Sequence, residues 1–129
     1  MAHSVTYRVY YEDTDAGGIM YHGNFINFCE RGRTEFINSK GLTNQSLLDD
    51  DVGIVVAHLS ADYKAPAFLE DMLEVRTAVK EVKNSSFILR HSIAKDGQEI
   101  FVMDVVLVCV NKRGRPIPIP PHVKKVMIT

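Results

Sequence analysis

Only two cysteines occur in the chain, Cys29 and Cys109, and both lie inside apolar runs. No CxxC pair is present, so they read as reduced core thiols of a cytosolic protein, because a small buried thiol behaves as a hydrophobe. The five histidines show no metal-ligand spacing, and neither a metal nor a cofactor is expected. Basic excess is also missing: 15 Lys and Arg face 16 Asp and Glu. That argues against a dedicated nucleic-acid binder and leaves room for a small basic patch gripping one phosphorylated ligand. The opening MAHSVTYRVYYEDTD lacks the apolar core of a signal peptide. The longest apolar run, Ile100 to Val110, is too short to span a bilayer and contains Asp104. A soluble, cytoplasmic protein without membrane insertion is expected. There is no Walker loop, no GxGxxG in a βαβ unit and no GxSxG elbow, which removes the common nucleotidase, dehydrogenase and serine-hydrolase readings.

What is present fits one domain over residues 1–129. Val5, Tyr7, Val9 and Tyr11 alternate with Thr6, Arg8 and Tyr10, the period of a strand. Glu12 to Gly18 is a turn by composition. From Asn24 the period changes. Phe25, Phe28, Cys29, Gly32 and Phe36 fall on one helical stripe, with Ile26, Arg33 and Ile37 on a second. Lys40 ends this helix, and Gly41 supplies the left-handed cap. A short helix over Thr43 to Asp50 follows, capped by Thr43 or Asn44. Four strands are then expected: Gly53 to Lys64, Asp71 to Lys83, Ser86 to Lys95 and Glu99 to Asn111. Asp96-Gly97 is a hairpin turn between the last two. The nearly continuous apolar run of the last strand suggests cover on both faces, or packing against another subunit. Prolines from Pro116 to Pro121 exclude regular structure, and His122 to Met127 makes a final helical turn. One long apolar helix followed by an antiparallel meander predicts an α+β fold, the sheet wrapped around the helix.

The chemistry concentrates in YYEDTDAGGIMYHGNFINFCERGRTEF, from Tyr10 to Phe36. Asp15 stands before Gly17-Gly18 and a helix start, whose free N–H groups favour negative charge. A carboxylate there can attack a thioester or draw a proton from water; the plainer reading is a turn aspartate bonding its own backbone. Asp13 reads as a loop-capping carboxylate. His22 offers an imidazole near neutral pH or a backbone N–H that polarises a carbonyl, and position alone favours the second. Tyr21 reads as a pocket-lining residue. Glu30 and Glu35 read as exposed or ion-paired helical carboxylates, and His58 and His91 as packing residues on strands. Lys64, Lys83, Arg113 and Arg115 flank strand ends, where cations grip phosphates or are simply solvated. Asn84 and Ser85 extend Lys83 into a small polar loop.

The DTDAGG-x-x-Y-H-x-x-F core resembles the signature of the hotdog-fold acyl-CoA thioesterases, nearest the 4-hydroxybenzoyl-CoA thioesterase family and its YbgC-type branch, which is associated with the Tol-Pal envelope system. Asp62-Tyr63-Lys64-Ala65-Pro66-Ala67, Leu69-Glu70-Asp71 and KEVKNSSF followed by Arg90-His91 extend the likeness from about Val5 to Val110. The resemblance implies a hotdog, a curved antiparallel sheet around the long helix. It implies homodimers, often paired into homotetramers, with active sites at the subunit interface, and acyl-CoA as substrate. By position Asp15 matches the catalytic aspartate, and His22 the residue whose backbone N–H polarises the thioester. Tyr21 and Gly18 match residues that line the site. Lys83, Asn84 and Ser85 match the loop that meets the coenzyme A nucleotide, and Arg113 or Arg115 adds a phosphate contact. Hydrolysis of acyl-CoA to free acid and coenzyme A is the expected activity. The alternatives are a hotdog dehydratase or hydratase, which needs His22 paired with Asp15 or Glu30, and a non-catalytic acyl-CoA sensor or envelope-complex partner.

Overall fold

A computed structural model describes residues 2–128. Strand β1 (His3–Arg8) leads through a 3-10 turn (Tyr11–Asp13) to helix α1 (His22–Ser39) and the short α2 (Asn44–Asp49). Strands β2 (Gly53–Tyr63), β3 (Met72–Val82), β4 (Ser86–Lys95) and β5 (Gln98–Val110) follow, then α3 (Pro121–Ile128). The α+β arrangement is as expected, one long helix against a five-stranded antiparallel sheet.

Two expectations need correction. The first strand ends at Arg8, and Tyr10 and Tyr11 enter the turn instead. The reason lies with Asp13, whose carboxylate accepts the Tyr10 N–H at 2.8 Å and draws the chain out of the ladder. The four later strands are also not a simple meander. The order is β1-β3-β4-β5-β2, so β2 lies beyond β5 on the outer edge. Apolar β5 becomes a central strand with neighbours on both sides, which is where such a run belongs. The cover expected on its second face is only partial: Val102, Val106 and Val108 stay half-buried.

Helix α1 lies chiefly over β1, β3 and β4. Its stripe of Phe25, Phe28, Cys29, Gly32 and Phe36 is buried, with Ile37 beside it. Gly32 makes the close approach possible, because a Cβ there would stand 2.7 Å from Val75 Cγ1. Gly41 at φ +83° ends the helix, and the Leu42 N–H returns to the Ile37 carbonyl, a six-to-one closure. At the other hairpin Asp96 and Gly97 both take positive φ, 51° and 81°, which matches the twist of the flanking strands.

This off-centre placement leaves β2 bare. Val55, Val56, Leu59 and Tyr63 are 36 to 47% exposed. His58, expected as a packing residue, is exposed for the same reason. Long apolar edges of this kind are pairing surfaces unless charge or proline blunts them.

His91 on β4 is buried, and its Nδ1 lies 2.9 Å from Thr77 Oγ1 on β3. Burial, helped by the Arg33 charge, lowers its pKa from 6.5 to about 4. The folded chain therefore refuses a proton that the unfolded chain takes up below pH 6.5, and stability falls as pH falls through that window. Between about pH 7 and pH 5 this group removes about 2 kcal/mol of stability. Urea unfolding at the two pH values checks it: His91→Gln is expected to flatten the difference, and an unchanged difference contradicts it.

Candidate active site

The loop from Thr14 to Met20 closes on itself. Thr14 pairs with Met20, and Ile19 pairs with Phe68. The Asp15 N–H donates to the Ile19 carbonyl at 2.9 Å, and the Gly18 N–H to the Asp15 carbonyl at 3.0 Å. Gly18 takes φ +82°, a conformation glycine adopts without cost. The Gly17 N–H donates to Asp15 Oδ1 at 2.8 Å. The turn reading of Asp15 is thus what its bonds show: one oxygen accepts from its own loop's backbone, and the other has no partner among the described residues. The pinned oxygen fixes the aim of the free one.

Asp13, two residues earlier, is the clasp expected of it. It is buried, its Oδ2 accepts from Tyr10 N and its Oδ1 from Asn24 Nδ2 at 3.0 Å. Its carbonyl accepts the Tyr21 N–H at 2.9 Å. These bonds tie the acidic loop to the start of α1.

That start is open. Tyr21 occupies the N-cap but its side chain accepts no capping bond, and the first turn holds no acidic residue. The N–H groups of His22 and Gly23 have no acceptor among the described residues. They carry the positive end of the helix dipole. The Tyr21 ring lies against the His22 ring, centroids 4.3 Å apart and planes tilted by 40°, and covers Gly23, where a Cβ would meet it at 2.9 Å.

Asp15 and His22 share the wall of a cleft of about 350 Å3. Met20, Phe25, Tyr63, Ala65 and Pro66 make the rest largely apolar, with Lys64 at its rim. Lys64 is ion-paired with Glu99, and both side chains stay partly exposed. Gly18 and Tyr21 stand beside the cleft as the shapers of its loop and its helix start. Tyr63 and Phe25 went unnoticed as site residues in the sequence, although Tyr63 lies within the Asp62 to Ala67 segment. Burial raises the Tyr63 phenol above its usual value, with Cys29 and Tyr21 adding to it, so the hydroxyl stays a proton donor.

Lys83, Asn84, Ser85 and Arg113 do not join this group. Ser86 faces Val108, and Gly53 faces Val110, at one end of the sheet. Tyr63 faces Phe101 at the other. Strand β2 runs 11 residues between the two ends, about 35 Å. The basic loops therefore sit at the far end of the same protomer. The Arg113 N–H and the Arg115 N–H both donate to Asn111 Oδ1, which shapes that loop around Gly114.

Among the described residues, no three His, Cys, Asp or Glu side chains are grouped to hold a metal. No helix among them is long and apolar enough to cross a membrane. Both cysteines are buried and free, and burial pushes the Cys29 thiol up to about 12. Glu30 is exposed, and no hydrogen bond among the described residues joins the His22 imidazole to a carboxylate.

A family model described as the thioesterase-like superfamily matches residues 9–127. The chain is 38% identical to an acyl-CoA thioesterase YbgC of Haemophilus influenzae over 119 residues, 91% of this chain and 88% of the relative. It is also 38% identical to an acyl-CoA thioester hydrolase YbgC of Escherichia coli, covering 81% of this chain and 78% of that one. Among solved structures, a gentisyl-coenzyme A thioesterase superposes with a TM-score of 0.89 at 30% identity, covering 95% of this chain and 99% of that one. A 4-hydroxybenzoyl CoA thioesterase from a Pseudomonas species shares the fold, with a TM-score of 0.88 at 22% identity over 97% of this chain and 98% of that chain.

Proposed function

This chain belongs to the thioesterase-like superfamily, and on that premise we infer that it is an acyl-CoA thioester hydrolase working through Asp15 and the open start of α1. The fold is the hotdog, with one such domain in each chain. The observation that carries the assignment is a carboxylate with one oxygen pinned, lining a cleft together with His22 at a helix start where the N–H groups of His22 and Gly23 have no acceptor among the described residues. The thioester carbonyl oxygen accepts hydrogen bonds from these groups, which strengthen as negative charge develops on it. Asp15 attacks the carbonyl carbon, or removes a proton from a water that does so. Either route breaks the carbon–sulfur bond, and water supplies the atoms that turn the acyl group into a free acid and the leaving sulfur into the coenzyme A thiol.

The cleft is half of a larger site. Two copies joined antiparallel along β2 bring the Tyr63 end of one strand beside the Gly53 end of the other. The second copy's Lys83, Asn84, Ser85 and Arg113 then come to the cleft from outside, where the nucleotide phosphates of coenzyme A emerge. This reading explains the bare apolar edge and the distance of the basic loops from Asp15 in one protomer. The half-buried valines of β5 offer a second face, on which dimers pair into a homotetramer. The two buried free thiols suit a reducing, cytoplasmic setting. The tie to the Tol-Pal envelope system rests on family resemblance alone.

A thiol-release assay over acyl-CoA substrates of increasing chain length tests the assignment. Release of one coenzyme A thiol per acyl group, unaffected by EDTA, is expected. Binding without release assigns a sensor or an envelope-complex partner instead. Conversion of an enoyl or hydroxyacyl thioester with its thioester bond intact assigns a hydratase or dehydratase.

A further inference from the structure

A helix that begins with no side-chain cap and no acidic first turn frays unless something else holds it. At α1 the usual devices are missing, yet the first turn is placed firmly by two contacts that leave its N–H groups alone. On one side Asp13 holds the Tyr21 N–H through its carbonyl and the Asn24 amide through its carboxylate. On the other side Tyr63, the last residue of β2, donates its hydroxyl hydrogen to the His22 carbonyl oxygen at 2.7 Å. The Tyr63 ring is set edge-on against Phe25 and Phe101, with centroids 5.3 Å and 4.8 Å away, so the hydroxyl has a fixed aim.

The choice of acceptor matters. The His22 carbonyl and the Gly23 N–H belong to one planar peptide unit. A hydrogen bond received at the oxygen polarises the unit and makes its N–H a stronger donor. A bond to the carbonyl thus fastens the turn and sharpens a free donor together, whereas an ordinary cap would consume that donor.

We propose that Tyr63 is a positioning residue for thioester hydrolysis: its hydroxyl fastens the first turn of α1 to the end of β2 and polarises the His22–Gly23 peptide, so that the uncapped N–H groups meet the thioester oxygen ready-aligned. The inference rests on the reading of the site given above and adds a residue 41 positions away from the helix start in sequence. Tyr63 touches no reacting atom in this scheme; it acts through the backbone of His22 and Gly23.

Tyr63→Phe removes the hydroxyl and keeps the ring. In the thiol-release assay kcat is expected to fall about tenfold while KM stays within about twofold, because the lost alignment matters most where charge develops. The Gly23 amide proton is expected to shift upfield in the NMR spectrum, and the thermal midpoint to stay near that of the parent chain. A kcat within about twofold of the parent, or a rise in KM alone, overturns the inference. A lowered thermal midpoint with the Gly23 resonance unmoved also overturns it, since that is what a purely structural tyrosine gives. Asp15→Asn measured alongside separates the two levels. If it is inactive while Tyr63→Phe behaves as the parent, only the positioning role fails; if it stays active, the reading of the site fails and the role goes with it.

Discussion

Asp15→Asn is expected to lower kcat at least about 100-fold with little change in KM or in the thermal midpoint. The amide is nearly the same size and retains an oxygen for the Gly17 N–H, which Asp15 Oδ1 accepts at 2.8 Å. The loop therefore keeps its shape. What disappears is the negative charge of a carboxylate that lines the cleft. An amide neither attacks a thioester usefully nor takes a proton from water. Asp13→Asn makes an instructive contrast. Asp13 is buried and bonded to Tyr10 N and Asn24 Nδ2, so its loss lowers the unfolding midpoint together with activity. Steady-state kinetics and thermal melts on the two variants check the distinction between the carboxylates. Near-parental turnover in Asp15→Asn, with the melt unchanged, removes Asp15 from the chemistry.

The second large effect is expected at the β2 edge. Leu59→Lys puts a charge on the helix-facing side of an edge strand, a device that blocks strand pairing. Leu59 is 36% exposed within one protomer, so the substitution disturbs little of the chain's own core. In light scattering the variant is expected at the mass of one chain, 14.5 kDa, where the parent runs at a multiple. The thiol-release rate is expected to drop at least about 100-fold, because the proposed site needs the Lys83 and Arg113 loops of a second copy beside Asp15. Mixing gives a sharper form of the same test. Asp15→Asn subunits and subunits lacking the Lys83 and Arg113 side chains are each nearly inactive. Hybrids unite all the intact residues in one of their two sites, and about a quarter of parental activity returns if the sites span two copies. No recovery on mixing places the basic loops outside the site.

Much of this was legible in the chain, for reasons that can be named. The Phe25 to Phe36 stripe has the helical period, and Gly41 ends it as a left-handed cap must. Alternation fixed the buried faces: Leu73, Val75 and Thr77 on β3, and Phe87, Leu89, His91 and Ile93 on β4, all point inward. Asp96-Gly97 makes its turn locally. Strand order was not legible, because alternation says which face is buried and nothing about which strand lies alongside. Hence β2 stood beside β3 in the reading and beyond β5 in the structure. The same blindness hid the distance between Lys83 and Asp15, and it hid the Tyr63 hydroxyl on the His22 carbonyl. Of the two turn aspartates, the sequence reads Asp13 as the clasp and leaves Asp15 between a turn role and a chemical one. Their hydrogen bonds make that distinction, with Asp13 fully engaged and Asp15 half-engaged.

The most direct measurement of the central claim is the position of the carbonyl oxygen in a crystal of the chain with an acyl-CoA analogue whose sulfur is replaced by a methylene group. The ketone oxygen is expected within about 3.2 Å of the backbone nitrogens of His22 and Gly23, with the free Asp15 oxygen facing the carbonyl carbon directly or through one water. A ketone bound elsewhere, with the start of α1 open to solvent and Asp15 turned from the ligand, would contradict the account.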